Sequence, residues 1–191
     1  NQLNTAANDS LYGNVEKAQK YARIAQSVSK KIEYSEGTIM GIRNLINCKI
    51  YMSDYDSALV FINELLPLIN RESNPKLIAT SYETIGKYYD FRGEYDEAVS
   101  YYLKAIGIAA KYDSSFTTMS YHNLGLIYKK LNNYKKAYEY QNKSESIARK
   151  NNDYRTLAST LNNLGILKKN EKQYQEALVY YEEALASAEK I

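Results

Sequence analysis

An all-α fold of repeated helical hairpins is what this 191-residue sequence predicts, on three observations. Ala18, Ala58, Ala98, Ala137 and Ala177 recur at offsets of 40, 40, 39 and 40, and self-similarity at a fixed period of this size marks a repeat architecture. Within each period the apolar residues step by three and four, the spacing that places side chains on one face of a helix. Breakers are scarce, with two prolines and eight glycines, while Ala, Leu, Lys and Glu supply good helix formers.

The elements follow from that frame. Val15, Tyr55, Tyr95, Tyr134 and Tyr174 each stand three residues before an alanine of the series, and Leu45-Ile46, Ile85-Gly86, Leu124-Gly125 and Leu164-Gly165 lie upstream in register. A partial unit at 1–38, lacking its start, precedes units at 39–78, 79–117, 118–157 and 158–191, all in one solenoid domain. Each unit carries two helical runs, as in Tyr82, Ile85, Gly86 and Tyr89, then Tyr95, Ala98, Tyr102, Ala105 and Ile106. The polar break between them, "DFRGE" at 90–94 or "KKLNN" at 129–133, is short enough to make the two helices antiparallel neighbours.

Helix starts are readable too. Asn74-Pro75 reads as an N-cap with proline at the first helical position, and Asp113 and Asp153 stand where the next two first helices should begin. Pro67 falls late in a second helix, where the missing donor should kink or end it early, so the unit at 39–78 is expected to be irregular. Gly86, Gly125 and Gly165 should let the second helix approach the first, and Ile46 at the equivalent place should loosen or shift that contact.

Charge and composition exclude more than they identify. Net charge is only +3, from 25 Lys+Arg against 22 Asp+Glu, far from the basic balance of an electrostatic nucleic-acid binder. The most apolar run, "ALVFINELLPLI" at 58–69, is too short to span a bilayer and contains Glu64. Cys48 is the only cysteine, which excludes an internal disulfide framework and suits cytoplasm or periplasm equally. The start "NQLNTAAND" has no methionine and no signal pattern, so a piece of a longer protein is expected.

These residues resemble the tetratricopeptide repeat family, whose pattern runs bulky residue, Leu-Gly, Tyr, Gly-x-Tyr-x-x-Ala, aromatic, Ala-Leu. "YETIGKYYDFRGEYDEAVSYYLKAI" at 82–106 matches nearly every position, and "LNNLGILKKNEKQYQEALVYYEEAL" at 161–185 and "YHNLGLIYKKLNNYKKAYEY" at 121–140 match most. Lys49 and Lys168 stand where tyrosine is usual, Asn132 and Lys172 replace the turn glycine, and Gln141 and Ser144 weaken one second helix. The long period resembles that of kinesin light chains and bacterial regulators. The resemblance implies a right-handed superhelix whose first helices line a concave, ligand-holding groove. It also implies a non-catalytic module that binds a protein or extended peptide, as the sensory segment of a bacterial signalling or transcription-regulatory protein.

Groove positions carried over from the resemblance are Arg43, Asn44 and Asn47, Glu83 and Lys87, His122, Asn123 and Leu126, and Asn162, Asn163 and Ile166. Asn44, Asn123 and Asn163 share one repeat position, where an amide could hold a peptide backbone or bond between repeats. Thr84 and Met119 stand where the carboxylate clamp of chaperone-binding relatives needs its polar groups, which disfavours chaperone tails. Tyr121, Tyr128 and Tyr134 occupy packing positions, whereas Tyr138 and Tyr140 lie off the pattern and are expected to be partly exposed.

Other chemistry finds little support. Seven cations against two glutamates lie between 129 and 150, but helical spacing spreads them, and a solvated face explains them better than a nucleic-acid site. His122 and Cys48 lie two units apart, too far for a nucleophile pair. No cofactor-binding or metal-ligand spacing is readable. Self-association through the uncapped last unit is the alternative role.

Overall fold

The computed structural model describes residues 1–113 and 117–191, and every regular element among them is a helix. In order these are α1 (Gln2–Ser10), α2 (Val15–Lys31), α3 (Ser35–Tyr51), α4 (Tyr55–Ile69), α5 (Pro75–Arg92), α6 (Tyr95–Ala109), α7 (Thr118–Lys130), α8 (Tyr134–Asn151), α9 (Tyr154–Asn170) and α10 (Tyr174–Ala188). The fold is the all-α solenoid of helical hairpins that the periodicity predicts. Each second helix begins on the residue the frame picks out: Val15, Tyr55, Tyr95, Tyr134 and Tyr174. The alanine three residues later is buried in every case. The chain falls into two compact units, Asn1–Tyr101 and Tyr102–Ile191.

Local chemistry sets the helix ends. Asn14, Asp54 and Asn133 cap second helices by accepting from the backbone N–H groups of Lys17, Ser57 and Lys136. Asn74 and Asp153 cap first helices through Leu77 and Thr156, and Pro75 opens α5, where its missing donor is no loss. The start expected at Asp113 adjoins residues 114–116, outside the described residues, and the described helix begins at Thr118. Pro67 does not cut α4 short of its last turn: the helix runs to Ile69, held by Leu65 and Ile69 in the core.

The turn inside a hairpin requires a left-handed residue whatever its type. Gly93 has φ 78°, and Ser53, Asn132 and Lys172 take φ 56°, 57° and 62° at the same repeat position. Only glycine adopts this region without steric cost, so three hairpins accept strain that the third does not.

In the first unit, Ile39, Ile42, Ile46 and Ile50 of α3 pack with Ile62, Leu65 and Ile69 of α4 and with Leu77, Ile85 and Tyr88 of α5. Ile46 is wholly buried there. The close approach of α3 moves upstream and to the other side, where a Cβ on Gly41 would stand 2.9 Å from the backbone nitrogen of Gln26 in α2. In the second unit the expected glycines work as read: a Cβ on Gly125 would meet the Gln141 side chain of α8 at 2.6 Å, and one on Gly165 the Tyr181 ring of α10 at 2.6 Å.

Tyrosines join the two helices of a hairpin by stacking. Tyr101 lies against Tyr89, with centroids 5.4 Å apart and planes 7° apart, and against Tyr82 at 6.1 Å. Tyr140 repeats this between Tyr128, at 5.4 Å and 8°, and Tyr121, at 6.1 Å and 24°. The middle ring comes from the second helix and the outer two from the first, seven residues apart. Tyr138 and Tyr140 are partly exposed, as expected, yet Tyr140 fills the stack, and Tyr138 packs with Leu164 and Leu167 while donating to Glu171. Tyr134, expected in the core, is 41% exposed. Where lysine replaces the stacking tyrosine, its ammonium reaches the cap of the next helix instead: Lys49 to Asp54 at 2.7 Å and Lys168 to Gln173 at 3.0 Å.

Candidate functional site: the face of the first helices

The helices α1, α3 and α5 are neighbours in the first unit, and their shared face carries a cavity of about 400 Å³. Asn4, Asn8, Arg43, Asn44, Asn74 and Thr80 supply its polar lining, with Met40 and Leu77 the apolar part. Asn4 is fixed by donating to the Gly37 carbonyl at 3.2 Å, Asn44 donates to the Asn4 carbonyl at 3.0 Å, and Asn74 donates to Glu36 at 2.9 Å. Helix geometry dictates this: residues four apart stack on one face, so Met40 and Asn44 look the same way, as do Arg43 and Asn47.

Arg43 is partly exposed yet closely surrounded, and that burial pushes its guanidinium down to about 10, with the charge of Glu83 opposing the shift. Its Nε donates to Thr84 Oγ1 at 3.4 Å. One helical turn further along, Lys87 donates to Asn47 Oδ1 and to the Tyr51 hydroxyl, both at 3.2 Å. The ammonium sits 4.4 Å from the Tyr51 ring centroid and 5.9 Å from that of Phe91. Burial lowers it to about 8. Tyr12, Tyr51 and Phe91 form an exposed row with centroids 5.6 and 6.0 Å apart. Five of the expected groove positions, Arg43, Asn44, Asn47, Glu83 and Lys87, thus lie together on α3 and α5.

The second unit differs. Asn123, Leu126 and Ile166 are partly exposed and Asn162 is exposed, but His122 and Asn163 are buried and so do not line an open surface. Asn163 is occupied at both ends of its amide, accepting from Lys129 Nζ at 2.6 Å and donating to the Ser159 carbonyl at 2.9 Å. His122 Nδ1 lies 3.0 Å from Thr160 Oγ1, which lies 3.1 Å from Ser144 Oγ, and Ser144 donates to the Thr118 carbonyl. Gln141 Nε2 donates to the His122 carbonyl. Burial lowers the His122 imidazole to about 4, so it is neutral at pH 7.

Gln141 and Ser144 therefore belong to a buried polar network that ties α7, α8 and α9, a role their departure from the repeat pattern hides. Sequence reasoning also missed Asn4, whose partner Asn44 lies 40 residues away. Cys48 is buried and its thiol is pushed up to about 11, chiefly by desolvation, which makes it unreactive. The lysines of 129–150 are dispersed: Lys136 lies over Tyr128, Lys143 pairs with Glu139, and Arg149 with Glu145 and Glu183. Among the described residues no helix is long and apolar enough to cross a membrane.

The tetratricopeptide repeat family model matches residues 37–111 and 116–190, most of the chain. The chain belongs to the tetratricopeptide repeat family. Solved structures agree on the fold of this tetratricopeptide repeat protein. BtubC from P. vanneervenii is 22% identical, with a TM-score of 0.78 over 93% of this chain and 75% of that one. The kinesin light chain TPR-like repeats of Podosopora anserina are 18% identical over 99% and 94%, with a TM-score of 0.69. A Rap protein complexed with competence and sporulation factor is 16% identical over 93% of this chain and 60% of that chain, also at 0.69. A search of curated proteins found no match.

Proposed function

We propose that this tetratricopeptide repeat protein is a non-catalytic module that holds an extended peptide or a protein segment on the face of its first helices. The observation that carries the reading is the cavity on α1, α3 and α5, where fixed amides and an enclosed guanidinium border an apolar floor of Met40 and Leu77. Few convergent polar groups around apolar surface make a binding site, and amides suit a peptide backbone because each both donates and accepts. The fold likeness to the Rap protein complexed with competence and sporulation factor supports a sensory or regulatory segment.

The test is selection of random extended peptides on the purified chain, repeated with Thr80→Trp, which fills the cavity from α5. Enrichment on the wild-type chain and its loss in the variant, at unchanged helicity, is the expected result. Equal enrichment on both chains would move the site elsewhere. A second reading, self-association, has its own observation: Leu178, Val179 and Leu185 of α10 are 47%, 49% and 62% exposed. Light scattering that shows a monomer across concentration would remove it.

A further inference from the structure

The furrow between α3 and α5 holds two cations that the fold leaves without carboxylate hydrogen-bond partners. The terminal nitrogens of Arg43 have no partner among the described residues, its single hydrogen bond running from Nε to Thr84. Lys87 is held only by neutral groups, the Asn47 amide oxygen and the Tyr51 hydroxyl. The charged groups nearby are Glu83, whose field acts on Arg43, and Glu36 and Lys76 at the cavity wall. Glu36 is already engaged by Asn74 and Tyr34. Enclosed cations without a hydrogen-bonded carboxylate are costly, and a planar guanidinium whose terminal nitrogens make no hydrogen bond is shaped to take a carboxylate in two parallel hydrogen bonds.

The two cations are one helical turn apart. Arg43 reaches across to Thr84, and Lys87 reaches back to Asn47, so the pair is spaced along the helices by four residues, about 6 Å at 1.5 Å per residue. In an extended peptide the side chains at i and i+2 point the same way and lie about 7 Å apart. We infer that the furrow between α3 and α5 binds an extended acidic peptide segment, with two Asp or Glu side chains at alternate positions, one on Arg43 and one on Lys87. This rests on the peptide-binding reading and specifies its ligand.

The geometry adds detail. The acid on Lys87 sits beside the exposed rings of Tyr51 and Phe91, which offer an apolar wall to whatever flanks it. The arrangement also differs from a clamp spread over three successive repeats, because both cations belong to one pair of adjacent first helices and both acids to one short stretch of peptide.

The test uses acetylated, amidated decapeptides labelled for fluorescence anisotropy, with the wild-type chain at low salt. A peptide carrying Glu-x-Glu should bind about ten-fold or more tighter than the same peptide with Gln-x-Gln, and tighter than one with adjacent glutamates. Lys87→Gln and Arg43→Gln should each remove most of that preference, whereas Lys87→Arg should keep it. Circular dichroism of each variant establishes that it is folded. Equal binding of the Glu and Gln peptides, both blocked by Thr80→Trp, would overturn acid recognition while leaving peptide binding standing. Preference that appears only when the C-terminus is left unamidated would show a terminal carboxylate as the ligand and overturn the paired side-chain reading. No binding of any peptide would remove both.

Discussion

The middle ring of the tyrosine sandwich offers a measure of what the repeat pattern contributes to stability. Replacing Tyr140 with Leu keeps an apolar side chain on α8 but removes two ring contacts, at 5.4 Å and 6.1 Å. Each such pair contributes about 0.5–1.5 kcal/mol beyond its buried area, so the loss should be about 1–3 kcal/mol. Lys143, whose ammonium lies 5.3 Å from the Tyr140 centroid, adds about 0.5–1 kcal/mol to that at an exposed site. Tyr140→Phe is the control, because it retains both stacks and removes only a hydroxyl. Urea unfolding followed by far-ultraviolet circular dichroism should place the Phe variant within about 0.5 kcal/mol of wild type and the Leu variant well below it. Tyr101→Leu repeats the experiment in the first unit, where the stack has the same geometry. If the Leu and Phe variants of Tyr140 unfold at the same urea concentration, the stack is incidental and the reasoning is wrong.

His122 makes stability depend on pH. Its folded pKa of about 4 lies below the unfolded value near 6.5, so the unfolded chain takes up the proton first and stability is lost as pH falls through that window. By pH 5 the loss is about 2 kcal/mol, and His122→Gln should flatten the slope; parallel slopes in the two proteins would count against a buried neutral imidazole. Lys172→Gly relieves a left-handed backbone and should stabilise by about 0.5–1 kcal/mol, after the extra chain entropy of glycine is subtracted; a lower urea midpoint would refute this. Affinity for the Glu-x-Glu peptide should fall as pH rises through about 8, where Lys87 loses its proton, and Lys87→Arg should abolish the fall.

The hairpin frame was legible because it depends on local rules. The phase of the alanines and aromatics places each second helix to the residue, and Asn74 and Asp153 announce helix starts by a bond made three residues away. Tyr140 and Gln141 were not legible. Both sit off the family pattern, yet one fills a stack and the other bonds to the His122 backbone at 3.2 Å. A pattern records what most repeats place at a position, and it is silent where one hairpin substitutes a polar network or a ring for an aliphatic contact. The fate of Lys49 and Lys168 was hidden for the same reason, since each trades a ring stack for a bond to a helix cap.

Period and spacing alone determined that this chain builds helical hairpins, where each second helix begins and which small residues lie inside, because backbone preference and apolar phase act within a few residues. Tertiary structure decided what each polar group on the first helices is bonded to. Asn44 is bonded to Asn4 40 residues away, Asn163 to Lys129 34 away, and His122 to Thr160 38 away. Arg43 and Lys87, by contrast, donate only to neutral groups, Thr84, Asn47 and Tyr51. A side chain's chemistry is written in its residue type, but whether that chemistry is already used depends on the neighbouring repeat, and that is fixed only when the hairpins stack.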